Sequence, residues 1–451
     1  MRLLAVALLA VCSVASRLSA QVLTSPPEGI IIPNYDLVRI GQTEALESGA
    51  VVARARGPLA NVYNPAGLAS AVSTEINGSS TGFQLTRLGL KGVGPDVSSS
   101  RIVNLGGFLG VVIANPVIKT TKWRLGFSVF SPLGWEPGIL SGAEAGAVAG
   151  QQLALDYRTQ VRLRAQIPAL AAGLNVSKRF RVGAGLQVPI VNLLQQQQST
   201  SLVSDATEAA SISRAFAAYG NVWLVRLIGG VQWDPIPAVS LGLTAETGTA
   251  RLWGSSFYSD QLTTAFGNGF ETVSFRDPSA RMDYKLPFSL KGGVAARIGK
   301  VELEVNVRWY SSIGAFDLYR SDSVGTALSQ TAGNAPTTTP VILPPVTQEF
   351  RSAVNLAFGM RVPLTRSWQL HVGVNSDQSP LSDPDQLFRQ VTFVGGTAGL
   401  SFAVGSLSGA LGLGFQTGAA PTTQITIPPT TVDIGLTVKT FQLLYSVAYT
   451  F

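Results

Sequence analysis

Cysteine and histidine are almost missing from this 451-residue sequence, which holds only Cys12 and His371. Because Cys12 lies in a segment that we expect to be removed, the mature chain has no disulfide and no cysteine metal site. A histidine-based metal site or a Ser-His hydrolase needs several such groups, so both have little support. The sequence therefore predicts no metal, no cofactor and no enzymatic activity, with a carboxylate- or serine-based enzyme as the remaining catalytic alternative.

Charge is also scarce, since 13% of the residues are charged and 46% are hydrophobic. That charged share is about half the usual one. The formal net charge of +7 is mild for the length, and no lysine-rich run or aromatic-basic repeat occurs, so nucleic-acid binding is not expected. After the first twenty residues no uncharged apolar run approaches the roughly 20 residues of a spanning helix. The remaining classes are a large β-rich soluble protein and a transmembrane β-barrel.

The N-terminus has the form of a secretory signal. Arg2 supplies the positive start and Leu3–Val14 the apolar core, and cleavage is expected after Ala15 or Ala20. Lipidation of Cys12 is a weaker alternative. An exported chain without cysteines suits the bacterial envelope.

Alternation with a period of two residues runs through most of the chain and indicates β-strands. In "VELEVNVRWY" (301–310) and in the last stretch, "FQLLYSVAYTF" (441–451), large apolar residues alternate with polar or small ones. We predict fourteen strands, at 73–86, 101–114, 122–131, 154–175, 179–194, 212–233, 238–252, 283–298, 300–313, 349–363, 366–377, 388–404, 407–418 and 434–451. Short and long connections alternate between them, as in an up-and-down outer-membrane barrel.

The segment that precedes the first predicted strand lacks this alternation. Residues 21–72 contain several glycines and one short helical stretch, and they are too few to bury a core of their own. A barrel of about fourteen strands has room for a plug, whereas eight strands would be filled by side chains. We therefore predict a signal peptide at 1–20, a luminal plug or hatch at 21–72 and an all-β, antiparallel transmembrane barrel at 73–451.

The stretch "NVYNPAGLAS" (61–70), followed at once by a strand, resembles the FadL/TodX-type family of outer-membrane transporters for long-chain fatty acids and aromatic hydrocarbons. Further stretches resemble the family in order: "GFSVFSPLG" (126–134), "IPALAAGLNVSKRFRVGAGLQV" (167–188), "LPFSLKGGVAARIGKVELEVNVRW" (286–309) and "SWQLHVGVNSDQSPL" (367–381). The resemblance implies a fourteen-stranded barrel in the bacterial outer membrane with an N-terminal hatch. This chain departs from the family just before the motif, where acidic residues are usual, because it has Arg54, Arg56 and Gly57.

The resemblance also implies a mechanism of passive uptake. The hatch shifts, and a hydrophobic molecule leaves sideways into the membrane beside a kinked third strand. The matching hatch gate is Asn64, Pro65 and Ala66. The matching lateral-exit strand carries Gly126, Pro132 and Gly134.

Four arginines occupy the polar positions of their strands, and we assign these positions to the lumen: Arg124, Arg162, Arg164 and Arg308. Each is a candidate partner for a ligand carboxylate. The stronger interpretation is that inward positions of a wet barrel are polar and that these arginines pair with Glu302, Glu304 or acidic residues of the plug.

The expected partners are hydrophobic small molecules, outer-membrane lipid and lipopolysaccharide, and the barrel-assembly machinery, whose signal the final strand with Phe451 resembles. Two alternatives remain at this stage. One is a similar barrel that serves protein secretion or binds a partner protein, and the other is a general porin. The sequence does not choose between fatty acids and aromatic hydrocarbons.

Overall fold

A computed structural model describes residues 31–91, 97–115, 117–120, 122–148, 151–204, 209–381, 390–420, 423–427 and 430–451. The predicted signal peptide and its cleavage sites lie outside these ranges. Among the described residues, no helix has the length and apolar character needed to cross a membrane.

The described strands join into one closed antiparallel sheet of fourteen barrel strands, which confirms the predicted fold class. In chain order they are β1 Glu75–Lys91, β2 Val97–Ile113, β3 Trp123–Val148, β4 Gln151–Asn175, β5 Phe180–Gln187 with Ile190–Ser204, β6 Ala209–Ile236, β7 Val239–Glu246 with Ala250–Phe266, β8 Gly269–Met282 with Ser289–Ile298, β9 Val301–Tyr310 with Ile313–Arg320 and Val324–Thr331, β10 Thr337–Ile342 with Val346–Phe350 and Ala353–Pro363, β11 Trp368–Asp377, β12 Thr392–Val404, β13 Leu407–Ala419 and β14 Thr430–Thr450. A short strand, Thr423–Ile427, pairs with the beginning of β14.

The barrel closes where the last strand pairs with the first. β14 runs antiparallel to β1, from Glu75 opposite Thr450 to Lys91 opposite Gly435. Its large residues point outward, with Tyr445 45% and Tyr449 48% exposed, while the small and polar residues between them are buried. Closure pairs the first strand with the last, as a sheet in lipid requires. The predicted lipid-facing role of the last strand fits this arrangement.

Strands β3 to β10 are longer than predicted. β4 has 25 residues and β6 has 28, whereas about ten residues cross a bilayer. Most of the predicted long connections at 132–153, 195–211, 253–282 and 314–348 are strand instead, because their polar residues pair in hairpins that continue the sheet. We call this end of the barrel the extended end.

The opposite end has short connections, at 176–179, 237–238, 299–300, 364–367 and 405–406. We call it the short-turn end. Both the beginning of β1 and the end of β14 lie there. This alternation of long and short connections is the one expected of an up-and-down barrel.

Residues 31–72, called the N-terminal segment below, contact the inward face of strands on all sides of the barrel. The segment contains the short helices α1 Thr43–Leu46 and α2 Ala60–Tyr63, with 3-10 turns at Gly57–Leu59 and Pro65–Ser70. Most of its residues are buried.

Candidate functional site

Asn64 fastens the N-terminal segment to the barrel wall. It is fully buried, and its Nδ2 donates to the backbone oxygens of Val52 and Val231, both at 3.0 Å. Its Oδ1 accepts from the backbone N–H of Ala66 at 3.1 Å and so caps the turn that Pro65 begins. One side chain therefore joins the motif to an earlier part of the segment and to strand β6.

Glycines on the inward face of the wall allow this close approach. A Cβ at Gly230 would lie 2.1 Å from Asn64 Oδ1, and one at Gly183 would lie 2.3 Å from the carbonyl carbon of Pro65. A Cβ at Gly242 would lie 2.4 Å from the oxygen of Val52. These distances exclude any side chain, so the wall and the motif fit only because the residues are glycine.

An ion-pair network joins the same segment to β9, β10 and β11. Glu47 is fully buried and accepts from Arg54 at 2.5 Å, Arg361 at 3.1 Å and His371 Nδ1 at 2.8 Å. Arg54 also meets Glu304 at 2.8 Å. Burial raises the pKa of Glu47, but the neighbouring cations outweigh it and lower the pKa to about 2. Arg54 therefore joins Glu47 of its own segment to Glu304 of the wall.

A second ion pair lies nearer the middle of the lumen. Arg308 Nη1 meets Asp36 Oδ1 at 2.8 Å, and Arg308 Nη2 donates to the backbone oxygen of Gly49 at 2.6 Å. Tyr310 and Asn355 also donate to Asp36, at 3.0 and 2.7 Å. The predicted luminal position of Arg308, with an acidic residue of the plug as its partner, matches this geometry.

A cavity of about 90 Å³ separates this network from the lumen above it. Its apolar wall comes from the N-terminal segment and the third and fourth strands, with Val62, Phe130 and Ile167 among its residues. Its polar wall contains four cations and two carboxylates: Arg39, Arg226, Lys291, Arg308, Asp36 and Glu246. The cavity is thus apolar on one side and carries an excess of positive charge on the other.

Arg39 is the cation in this wall without an acidic contact. Its Nη1 donates to Gln442 Oε1 at 2.6 Å and its Nη2 to Asn375 Oδ1 at 3.0 Å, and within the described chain no carboxylate lies within 4.0 Å of it. Burial lowers the pKa of Arg39 to about 10, with the more distant Asp377 opposing that shift. The guanidinium stays charged at neutral pH, which leaves a buried cation available to an anionic group.

The lumen on the extended side of the cavity is apolar. Ile31, Ile32 and Leu37 pack there against inward side chains of the long strands, including Trp135 and Phe216. Trp135 is 1% exposed and belongs to this luminal cluster, although tryptophans of barrels are enriched at the membrane interface. Nearer the extended end the inward residues become polar, with Gln195 and the Arg214–Asp260 ion pair at 2.6 Å, so the apolar stretch lies between this polar part and the cavity.

The three residues predicted for the exit strand occupy different environments. Gly126 faces inward, where a Cβ would lie 2.6 Å from Asn61 Oδ1, so this glycine permits a close approach. Pro132 lies in an irregularity of the β3–β4 pairing between Phe130 and Leu133, and Gly134 follows it with regular pairing.

The β2–β3 seam is short. β2 pairs with β1 along most of its length, but its described pairing with β3 covers only Phe108–Ile113. Beyond Phe130, the point where β3 becomes irregular, no pairing between the described parts of these two strands is found. The wall has an interrupted ladder at this place.

Two of the four predicted luminal arginines are on the outer face, which corrects the prediction. Val161, Leu163 and Ala165 of β4 are buried in the apolar lumen, so Arg162 and Arg164 between them point outward. Arg164 contacts Glu136 at 2.5 Å. The alternation was predicted correctly, but here the apolar face of β4 points into the lumen and its polar face points outward.

Arg124 faces inward but lies away from the cavity. It is 4% exposed and donates to the backbone oxygens of Ala71, Thr120 and Trp123, so it fastens the short-turn end. The cations of the polar cavity wall are instead Arg308, which was predicted, and Arg39, Arg226 and Lys291, which were not. In "SLKGGV" Lys291 occupies a position that alternates with the outward residues, and this alternation could have predicted its luminal position.

The described residues contain no group of three or more His, Cys, Asp or Glu that could hold a metal ion. No protein-family model matches the sequence. No curated protein sequence matches it either.

Solved structures match along nearly the whole chain. The toluene transporter TodX of Pseudomonas putida has a TM-score of 0.59 at 15% identity over 93% of this chain and 100% of its own. The toluene transporter TbuX of Ralstonia pickettii gives 0.55 at 13% over 92% and 98%. A FadL homologue from Pseudomonas aeruginosa gives 0.54 at 12% over 94% and 99%.

These likenesses define the class. The chain has the fold of the FadL/TodX-type barrels of the bacterial outer membrane. The resemblance found in the sequence is thereby confirmed at the level of the fold.

Proposed function

We propose that this protein is a bacterial outer-membrane channel for the passive uptake of hydrophobic molecules, and that it acts in transport rather than catalysis. The observation that carries the proposal is the cavity between the apolar lumen and the charged network of the N-terminal segment. The structures with the same fold include two described as toluene transporters, which supports hydrophobic cargo. The filled lumen favours this role over a general porin.

In the proposed path a molecule enters at the extended end, which faces the outside, and moves along the apolar lumen to the cavity. The N-terminal segment acts as the hatch, and Asn64, Pro65 and Ala66 form its gate. Exit is sideways, through the interrupted β2–β3 ladder near Pro132. A lateral exit keeps apolar surface out of water, worth about 25 cal/mol per Å².

The charge of the cavity favours a ligand with an anionic head group. Glu246 accepts from Arg226 at 3.2 Å and from Lys291 at 3.0 Å, and Asp36 neutralises Arg308. Two positive charges remain, one of them on Arg39. A carboxylate there would form charge-assisted hydrogen bonds, while its chain lies against the apolar wall. We therefore favour a fatty acid over an aromatic hydrocarbon.

The gate is tested by uptake of labelled oleate into proteoliposomes. Asn64→Ala removes the bonds to Val52 and Val231, and we expect uptake to change several-fold or the lumen to leak ions. Asn61→Ala is the matched control, because Asn61 is equally buried and its amide atoms have no hydrogen-bond partner among the residues that the structure describes. Equal behaviour of the two variants would contradict the gate.

The ligand class is tested with Arg39→Gln. We expect oleate uptake to fall about tenfold and toluene uptake to stay within twofold. Arg297→Gln, an exposed arginine at the short-turn end, is the charge-matched control. A parallel loss of both substrates would favour a structural role for Arg39, and unchanged oleate uptake would remove it from the site.

A further inference from the structure

The polar wall of the cavity carries more hydrogen-bond donors than acceptors. Lys291 Nζ donates to Glu246 Oε1 at 3.0 Å, and an ammonium group has two further N–H groups. Arg226 gives its Nε to Gln187 Oε1 at 2.6 Å, and its Nη1 lies 3.2 Å from a Glu246 oxygen. Within the described chain neither cation has another acceptor. Donors of β6 and β8 are therefore left for a group that enters the cavity.

Arg39 adds a cation from the N-terminal segment. A Cβ at Gly395 would lie 2.6 Å from its Nη2, and one at Gly414 would lie 3.2 Å from its Nη1, so two glycines of β12 and β13 form a floor beneath the guanidinium. Its Nε has no partner in the described chain. The acid that acts on Arg39 from a distance, Asp377, does not line the cavity. Arg39 is thus held at the cavity wall by neutral groups.

The charges that line the cavity do not cancel. Asp36 pairs with Arg308 at 2.8 Å, whereas the single carboxylate of Glu246 is shared by Arg226 and Lys291. Four cations face two carboxylates, so two positive charges remain, one on the N-terminal segment and one on the strands β6 and β8. A buried charge without a counter-charge is costly, which favours an anion in this space.

The cavity distinguishes between kinds of anionic head group. Its volume of about 90 Å³ suits a head group rather than a whole amphiphile, and its apolar side with Phe130 and Ile167 can continue along the chain. A carboxylate has one charge and two oxygens in a plane, which the fork of one arginine satisfies. A phosphate monoester has three terminal oxygens and a charge of about −1.5 to −2 at neutral pH. The phosphate matches two excess charges that come from separate elements.

We propose that the cavity binds the head group of an alkyl phosphate monoester, and that it binds this group more tightly than a carboxylate on the same chain. Arg39 contacts the phosphate from the N-terminal segment, and Lys291 and Arg226 contact it from the strands. The inference rests on the proposed function, which makes this cavity the ligand site, and it names the preferred class among anionic amphiphiles.

The test is isothermal titration calorimetry of the full-length protein in a non-ionic detergent at about pH 8, where a phosphate monoester is a dianion. The probes are decyl phosphate, decanoate and decanol, which share one chain. We expect decyl phosphate to bind about tenfold more tightly than decanoate, and decanol to bind more weakly than both. Equal affinities of decyl phosphate and decanoate would overturn the proposal.

Lys291→Gln separates the two charged head groups. It removes one of the two excess charges, so decyl phosphate should bind about tenfold more weakly, whereas decanoate, held at Arg39, should change less than about threefold. Arg226→Gln should repeat this result and guards against a folding defect in one variant. Lys300→Gln removes an exposed lysine from the short turn after β8 and should leave both affinities unchanged. Equal losses of both ligands in the first two variants, or no loss of decyl phosphate, would contradict the proposed contacts.

Inorganic phosphate and decyl sulfate identify the recognised chemistry. Inorganic phosphate in about tenfold excess should leave decyl phosphate bound, and its displacement would show a site for the free ion. Decyl sulfate has a tetrahedral head with a single charge and should bind about as tightly as decanoate, whereas binding as tight as that of decyl phosphate would overturn the role of the second charge.

The calorimetry uses no vesicle, so this inference and the transport proposal can fail separately. Normal oleate uptake without a preference for decyl phosphate would refute the inference and leave transport intact. Preferential binding of decyl phosphate without uptake of any amphiphile would refute transport and leave the head-group site intact.

Discussion

The two halves of the lumen are filled by opposite kinds of side chain. On the extended side, Ile31 and Ile32 pack with aromatic and aliphatic residues of the long strands. On the short-turn side, the N-terminal segment is held by ion pairs and amide bonds centred on Glu47 and Asn64. An apolar core tolerates small changes in the shape of its side chains, whereas a buried charge that loses its partner strongly destabilises the fold. The difference shows that packing holds the first half, whereas directional polar bonds hold the second half.

The largest effect should follow from breaking the charged half. Glu47→Gln removes the negative charge that Arg54, Arg361 and His371 share, and loss of one partner of a buried pair costs about 3 to 5 kcal/mol. We expect the N-terminal segment to become accessible to protease while the barrel stays closed. Glu44→Gln is the matched control, because Glu44 lies in α1, which Glu47 caps, and has no ion pair among the described residues. Equal protease resistance of the two variants would show that the network does not hold the segment.

Breaking the apolar half should destabilise the protein without freeing the segment. Trp135→Ala leaves a cavity in the lumen and should cost about 3 kcal/mol in unfolding free energy, measured with denaturant in detergent. Trp253→Ala, on the lipid-facing side, should cost much less. If Trp135→Ala exposed the N-terminal segment to protease as Glu47→Gln does, the apolar half would also hold the segment, and the proposed difference between the two halves would be wrong.

One added methyl group on the barrel wall should weaken the contact between strand β6 and the Asn64 motif. Gly230→Ala places a Cβ 2.1 Å from Asn64 Oδ1, and overpacking of this kind costs about 1 to 3 kcal/mol. Gly229→Ala is the adjacent control, since its Cβ would have no neighbour closer than 4.0 Å. Hydrogen exchange at residues 60–70 should rise in the first variant only, and a rise in both would point to a general effect on the strand.

The smallest expected effect is on pH dependence. The pKa of Glu47 is lowered from 4.5 to about 2, so its contribution to stability is complete above pH 4.5 and is lost as the pH falls through 2. Between pH 5 and pH 3 we expect a loss of about 1 to 2 kcal/mol from this group. Protease accessibility of the segment should increase over that range in the wild type, and the increase should shrink in Glu47→Gln.

The sequence predicted the parts of the fold that depend on period alone. The outward tyrosines of β14 and the inward Arg308 followed from alternation, and the strand order was correct. Whether a face of a strand points into the lumen or outward was harder to predict. Alternation shows which residues share a face, but it does not show the direction of that face. Arg162 and Arg164 were misplaced for this reason, since the lumen near them is apolar. Arg39 was missed because the N-terminal segment has no period.

The outer face of β4 changes its chemistry along one strand. Arg158, Arg162 and Arg164 occupy it toward the extended end, and the exposed Leu170 and Leu174 occupy it toward the short turns. A displacement by one pair of residues, about 7 Å along the strand, would carry Arg164 toward the hydrocarbon. An arginine at the bilayer midplane of a barrel costs about 2 to 4 kcal/mol. The strand therefore sets the depth at which the barrel is immersed, and with it the height of the β2–β3 seam in the bilayer.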